Sequence, residues 1–152
     1  HLLSRRQRQM CIRDSSWTDG SVKTGKTYYY KIKTVVKTQN GEQTSGFSNV
    51  KSAKAVPAKT TLKAKASDAK NVKLTWSKVK GASGYEIYRS NSKDGKCSKV
   101  KTISKGSTTS YKNGKLKKST TYYYKIRAYR KVNGKKVYGS YSSVVSVKTK
   151  AK

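Results

Sequence analysis

The chain has 152 residues, room for one domain of ordinary size or one and a part, and carries a formal charge of +31 from 37 Lys and Arg against 6 Asp and Glu. No run approaches the ~18 apolar residues of a membrane span. With His1 as the one histidine, and Cys11 and Cys97 at no metal-ligand spacing, zinc centres, Cys-His nucleophiles and Ser-His-Asp triads find no support.

Residues 1–15 use a different vocabulary from the rest. They hold four of the seven Arg, the one Met and no Lys. Written back into codons, Met10 to Ser15 resembles the transposase mosaic end of a DNA-library adaptor. The stretch is therefore read as a non-native, adaptor-like segment, with a basic N-terminal arm as the alternative. His1-Leu2-Leu3 is followed by Ser, Arg and Gln, so no apolar signal region is expected in this fragment. Without the segment, four Arg and one Asp fewer still leave a charge of +28.

From Ser16 the chain is Lys-rich and alternates apolar with polar residues, which a disordered tail does not need. The phrase KTYYYKIKTVVKTQNGEQTSGFSNV at 26–50 returns as TTYYYKIRAYRKVNGKKVYGSYSSV at 120–144. At an offset of 94, Trp17 meets Tyr111, Val22 meets Leu116 and Tyr28 meets Tyr122. After small length changes, Gly41 is paired with Gly134 and Gly46 with Gly139. That period exceeds the ~20–50 residues of solenoid repeats and suits tandem sandwich domains. The first copy, residues 16–56, begins at the fifth of seven strands, so Tyr28, Tyr30 and Ile32 should have exposed apolar faces. Val56-Pro57-Ala58-Lys59 is the linker.

The second copy, residues 57–150, spells seven strands between turn signals. They centre on Leu62–Ala66, Val72–Trp76, Tyr85–Ile87, Val100–Ile103, Tyr111, Tyr122–Ala128 and Val144–Val147. Asn40-Gly41 and Asn133-Gly134 are expected as hairpin turns with φ > 0 at both residues.

Trp76 in the second strand, Tyr85-Glu86-Ile87-Tyr88-Arg89 in the third, and Leu116 six residues before Tyr122 resemble the pattern of the fibronectin type III domain. Its closest flavour is similar to the Lys- and Tyr-rich repeats of secreted or wall-attached proteins of low-GC Gram-positive bacteria, as in GYEIYRS and TTYYYKIRAY. The resemblance implies an all-β, immunoglobulin-like, seven-stranded β-sandwich preceded by a partial copy of the same domain. It places Tyr122 as the tyrosine-corner residue. The family's usual Pro-Gly before the sixth strand is Lys118-Ser119 here, and the adhesion tripeptide Arg-Gly-Asp is absent.

Alternation sends Trp76, Tyr85, Ile87, Tyr122, Tyr124 and Ile126 inward as core, and the resemblance implies a structural place for Leu116 as well. By the same parity Glu86, Tyr88, Tyr123, Lys125, Arg127 and Tyr129 point outward on strands that are neighbours in the family's fold. This basic, aromatic face is either a solvated surface or a site for stacking sugars, binding phosphates or packing on another domain. Cys97, in the turn Lys93–Cys97, lacks an activating base and reads as a tolerated free thiol. The function expected is a non-catalytic spacer or adhesion module of a larger bacterial extracellular or cell-surface protein. The alternative is an accessory module of a secreted carbohydrate-active enzyme or peptidase. No catalytic residue, cofactor or metal is expected. Partners would be anionic cell-wall polymers, polysaccharide or another protein domain, with the chain monomeric. A low-GC genome accounts for the Lys-rich composition without nucleic acid, and the scarcity of Arg argues against base readout.

Overall fold

The computed structural model describes residues 16–152; the adaptor-like segment lies outside them. Among the described residues there is no helix. The strands are β1 (Thr27–Tyr30), β2 (Val35–Thr38), β3 (Gly41–Thr44), β4 (Lys51–Lys54), β5 (Leu62–Ala66), β6 (Val72–Trp76), β7 (Gly84–Ser90), β8 (Ser98–Ile103), β9 (Ser110–Asn113), β10 (Thr121–Val132), β11 (Lys135–Tyr138) and β12 (Val145–Lys148).

Residues 57–152 form two packed antiparallel sheets. One has the order β5-β6-β9; the other runs β11-β10-β7-β8, with β12 also on β10. Alternation along β6 and β10 turns Val72, Leu74 and Trp76 from one sheet toward Tyr122, Tyr124, Ile126 and Ala128 from the other. Leu62, Tyr85 and Ile87 complete the middle, and Leu116 closes one end from a loop. Burial of Tyr85, Tyr124, Ile87 and Ile126 is complete, worth ~1.5–3 kcal/mol for an isoleucine side chain. Trp76 packs 5.4 Å from Tyr85, ring to ring. The last expected strand, around Val144–Val147, is β12; β11 is a strand beyond the seven expected, and the two pair with opposite ends of β10. Between them the Ser142 hydroxyl accepts a 3.1 Å bond from the Ile126 N–H, standing in for a missing ladder acceptor.

The corner before β10 answers the loss of Pro-Gly. Ser119 adopts φ 51°, a left-handed conformation that glycine takes without a Cβ penalty. Two residues earlier, the Lys117 N–H donates to the Tyr122 hydroxyl at 2.9 Å, the corner bond of this fold.

The first copy is a ribbon. β1 pairs with β4, and β2 with β3. Register fixes the offset at 94 throughout: Tyr28↔Ala53 corresponds to Tyr122↔Val147, and Val35↔Thr44 to Tyr129↔Tyr138. No length change is needed, so the glycine pairings Gly41–Gly134 and Gly46–Gly139 are each displaced by one residue. The hairpin expectation holds at Asn133-Gly134, with φ 49° and 76°, but is corrected in the first copy. There Thr38 pairs with Gly41, so Gln39-Asn40 make the turn and only Gly41 has positive φ. The expected strand around Trp17 does not form either. Its counterpart β9 is held by β6, and the first copy has no such neighbour among the described residues.

Candidate functional site: a glutamate beneath an aromatic and basic face

The outer face of β7, β10 and β11 is organised around one carboxylate. Antiparallel register sets Arg127 directly opposite Glu86 and Lys125 opposite Tyr88. A bulge between Ile87 and Tyr88 shifts the pairing with β8 and leaves Lys99 near the same group. Glu86 Oε2 accepts bonds from Arg127 Nη2 at 2.8 Å and the Tyr88 hydroxyl at 2.8 Å. Oε1 accepts from Lys136 Nζ at 3.0 Å and the Tyr138 hydroxyl at 3.2 Å. Arg127 Nη2 also donates to the Tyr88 oxygen at 2.9 Å.

Aromatic rings roof this network. The Arg127 guanidinium lies 3.7 Å from the Tyr138 ring centroid and 4.9 Å from that of Tyr141, within cation–π range. Tyr88 meets Tyr141 edge-on at 5.3 Å, and Lys125 sits 4.5 Å over the Tyr141 ring. Lys136 lies 4.5 Å over Tyr129. Arg127, Lys136, Tyr88 and Tyr138 are therefore satisfied internally, each aimed at a group of the same domain.

Two of the six residues expected to project into solvent do not. Glu86 and Tyr129 are each 1% exposed. Alternation assigned the face correctly, but long side chains from β10 and β11 fold over Glu86 and bury it, and the Tyr129 hydroxyl turns back to the Ile103 carbonyl at 3.3 Å. Tyr88, Tyr123, Lys125 and Arg127 are half-buried. Lys136, Tyr138 and Tyr141 were not singled out from the sequence. The signal available was cross-strand: Tyr138 sits opposite Tyr129 once Asn133-Gly134 is taken as the turn. The seven expected structural residues, from Trp76 to Ile126, all lie in the core cluster.

Burial alone would raise the Glu86 pKa. The bonds from Arg127, Lys136 and Tyr88 outweigh it and bring the carboxyl down from 4.5 to about 2. Burial and the bonds to Tyr141 and Glu86 push the Tyr88 hydroxyl well above its ordinary value. Glu86 is thus a fixed anion and Tyr88 a fixed neutral donor, so neither is poised for proton transfer near neutrality. No group of three or more potential metal ligands occurs among the described residues. No helix of the described residues is long and apolar enough to cross a membrane. Cys97 is partly buried, with its thiol 3.9 Å from the Gly95 carbonyl. A shallow groove of about 330 Å³ lies beside the face, lined by Lys93, Asp94, Tyr123, Val144 and Ser146.

No family model matches the chain, and no curated protein matches it. Solved structures do. The FN1–FN3 domains of chicken CNTN1 are 22% identical with a TM-score of 0.54, over 88% of this chain and 46% of that one. The chain thus spans about half the length of that three-domain structure. The sixth domain of human fibronectin type III domain containing protein 3 is 18% identical with a TM-score of 0.54, over 66% of this chain and 92% of that one. An Fn3-like protein from Clostridium thermocellum is 28% identical with a TM-score of 0.50, over 62% of this chain and 92% of that one. The chain has the fibronectin type III fold.

Proposed function

We propose that the chain is a non-catalytic spacer or adhesion module of a larger bacterial extracellular or cell-surface protein, in which residues 57–150 form a complete domain and 16–56 the C-terminal part of another. One observation carries the reading: what repeats at an offset of 94 is framework. The corner tyrosine, the inward Tyr-Ile pattern and the strand registers recur. The outward chemistry around Glu86 does not, since Arg127, Lys136 and Tyr138 stand where the first copy has Lys33, Glu42 and Thr44. Repetition of a scaffold without repetition of a site suits a spacer. The bacterial Fn3-like protein among the similar structures supports a bacterial setting.

With +28 on residues 16–152, the module would meet anionic wall polymers through screened Coulomb attraction. Sedimentation with Gram-positive cell-wall sacculi tests this. Retention should depend on the teichoic phosphates and fall about ten-fold or more between ~0.05 and ~0.5 M salt. Retention unchanged on phosphate-stripped sacculi, or insensitive to salt, would refute the electrostatic role.

A further inference from the structure

The two outer faces of the sandwich hold their lysines differently. On the face of β7, β10 and β11, Arg127, Lys136 and Lys99 share Glu86, and Lys125 lies over Tyr141. On the opposite face, outside β5, β6 and β9, register sets Lys65 directly across from Lys73 and Lys73 directly across from Lys112. All three are exposed, and none is in an ion pair among the described residues. The neighbouring row on the same face is Lys63, Thr75 and Ser110. A shallow groove of about 290 Å³ lies on this face, lined by Ser67, Lys73, Ser110, Tyr111 and Lys112.

Like charges directly opposite each other destabilise a sheet. On an edge strand a lysine has a separate use, since it discourages pairing with another chain. That accounts for Lys65 on β5 and Lys112 on β9, the two edges of this sheet. It does not account for Lys73, which sits on the central strand. Asp68, in the turn between β5 and β6, does not neutralise the row. Its Oδ1 accepts from the Lys70 N–H at 2.8 Å and the Asn71 amide at 2.8 Å, and its Oδ2 from the same amide at 2.9 Å. Those bonds, and then the charge of Lys112, hold its carboxyl below the ordinary value. Three cations in register, unopposed by the chain itself, call for an anion from outside.

We propose that the outer face of β5, β6 and β9 is the contact surface for a linear phosphodiester polymer, with phosphates held at Lys65, Lys73 and Lys112 and the Ser110 hydroxyl donating beside them. This surface depends on the electrostatic role proposed above, to which it gives a place on the molecule. A lysine ammonium binds phosphate as a compact point charge, and long flexible stems let strands ~4.8 Å apart meet successive phosphates of a flexible chain. The groove's one aromatic residue, Tyr111, packs against the core, which leaves no ring there to stack a base. The row also holds no Arg for base readout.

The test titrates the full chain with poly(glycerol phosphate) at several salt concentrations. The row variant, Lys65→Gln with Lys73→Gln and Lys112→Gln, should bind about ten-fold or more weaker and lower the salt slope by ~2–3. A control with Lys80→Gln, Lys105→Gln and Lys131→Gln removes the same charge from exposed positions elsewhere and should weaken binding less than ~3-fold. The urea midpoint of the row variant should rise, because the repulsion across the sheet is gone. A fall in midpoint together with lost binding would assign the effect to folding and overturn the proposal. Equal losses in the two variants would overturn the row and leave the general electrostatic role standing, whereas no binding by the native chain would overturn both. Tighter binding of single-stranded DNA of equal charge, lost in the row variant, would overturn the polymer and assign the face to nucleic acid.

Discussion

The ribbon at 27–54 and its counterpart at 121–148 make the same hydrogen bonds in the same register, yet one has a core and the other does not. Tyr124 and Ile126 are fully buried, whereas Ile32, with the same backbone bonds, is 74% exposed. Trp17, Tyr29, Val36, Phe47 and Val50 are exposed with it. Backbone pairing thus sets the shape of each copy, and burial sets its stability, since a net hydrogen bond contributes only ~1 kcal/mol. The pair is a built-in control for separating the two contributions.

The largest expected difference lies at the paired isoleucines. Ile126→Ala should destabilise the second copy by about 2–5 kcal/mol, measured as a shift of the urea midpoint followed by Trp76 fluorescence. Ile32→Ala should change the same transition by less than ~0.5 kcal/mol, because its side chain already stands in water. Equal losses at both positions would show that the first copy is covered in solution.

Next comes the acid group that only the second copy possesses. Glu86→Gln should cost about 2 kcal/mol, below the ~3–5 of a fully buried pair because Arg127 and Lys136 still reach water. Its pKa is lowered on folding, so its contribution is fully present above the ordinary value of 4.5 and is lost as pH falls through about 2. The native chain should lose stability between about pH 5 and 2, and the Gln variant should show a flatter profile there. Matching profiles would mean that the Arg127 and Lys136 contacts do not persist in solution.

How far these contrasts could be foreseen follows from what a sequence encodes locally. Strand parity is a two-residue property, so the inward Tyr122, Tyr124 and Ile126 and the outward Lys125 and Arg127 were readable directly. Burial is a property of neighbours. Glu86 was assigned to the correct face but not recognised as covered, because its roof comes from Lys136, Tyr138 and Tyr141, some fifty residues away. Trp17 aligns with Tyr111 of β9 without being in a strand, since a strand exists only with a partner. The Asn-Gly at 40–41 is a strong turn signal, and cross-strand register still placed the turn one residue earlier.

A smaller effect is expected at the corner tyrosines. Tyr122→Phe removes the hydroxyl that accepts from the Lys117 N–H and should cost about 1 kcal/mol, while Tyr28→Phe should leave the main unfolding transition unmoved.

The smallest effect runs in the opposite direction. At the same corner position the first copy has Gly25, with φ 90°, and the second has Ser119, with φ 51°. No side-chain bond from Ser119 offsets the left-handed conformation, which costs a non-glycine residue ~1–2 kcal/mol. Glycine there relieves that strain but loses more conformational entropy on folding, ~0.5–1 kcal/mol against alanine. Ser119→Gly should therefore stabilise the second copy by about 0.5 kcal/mol, read as a small rise in urea midpoint at unchanged slope. A fall would mean that entropy outweighs strain at this corner. The first copy's glycine would then reflect its fit against Val137 and Val132, whose methyl groups would lie 3.4 and 3.7 Å from a Cβ placed at Gly25.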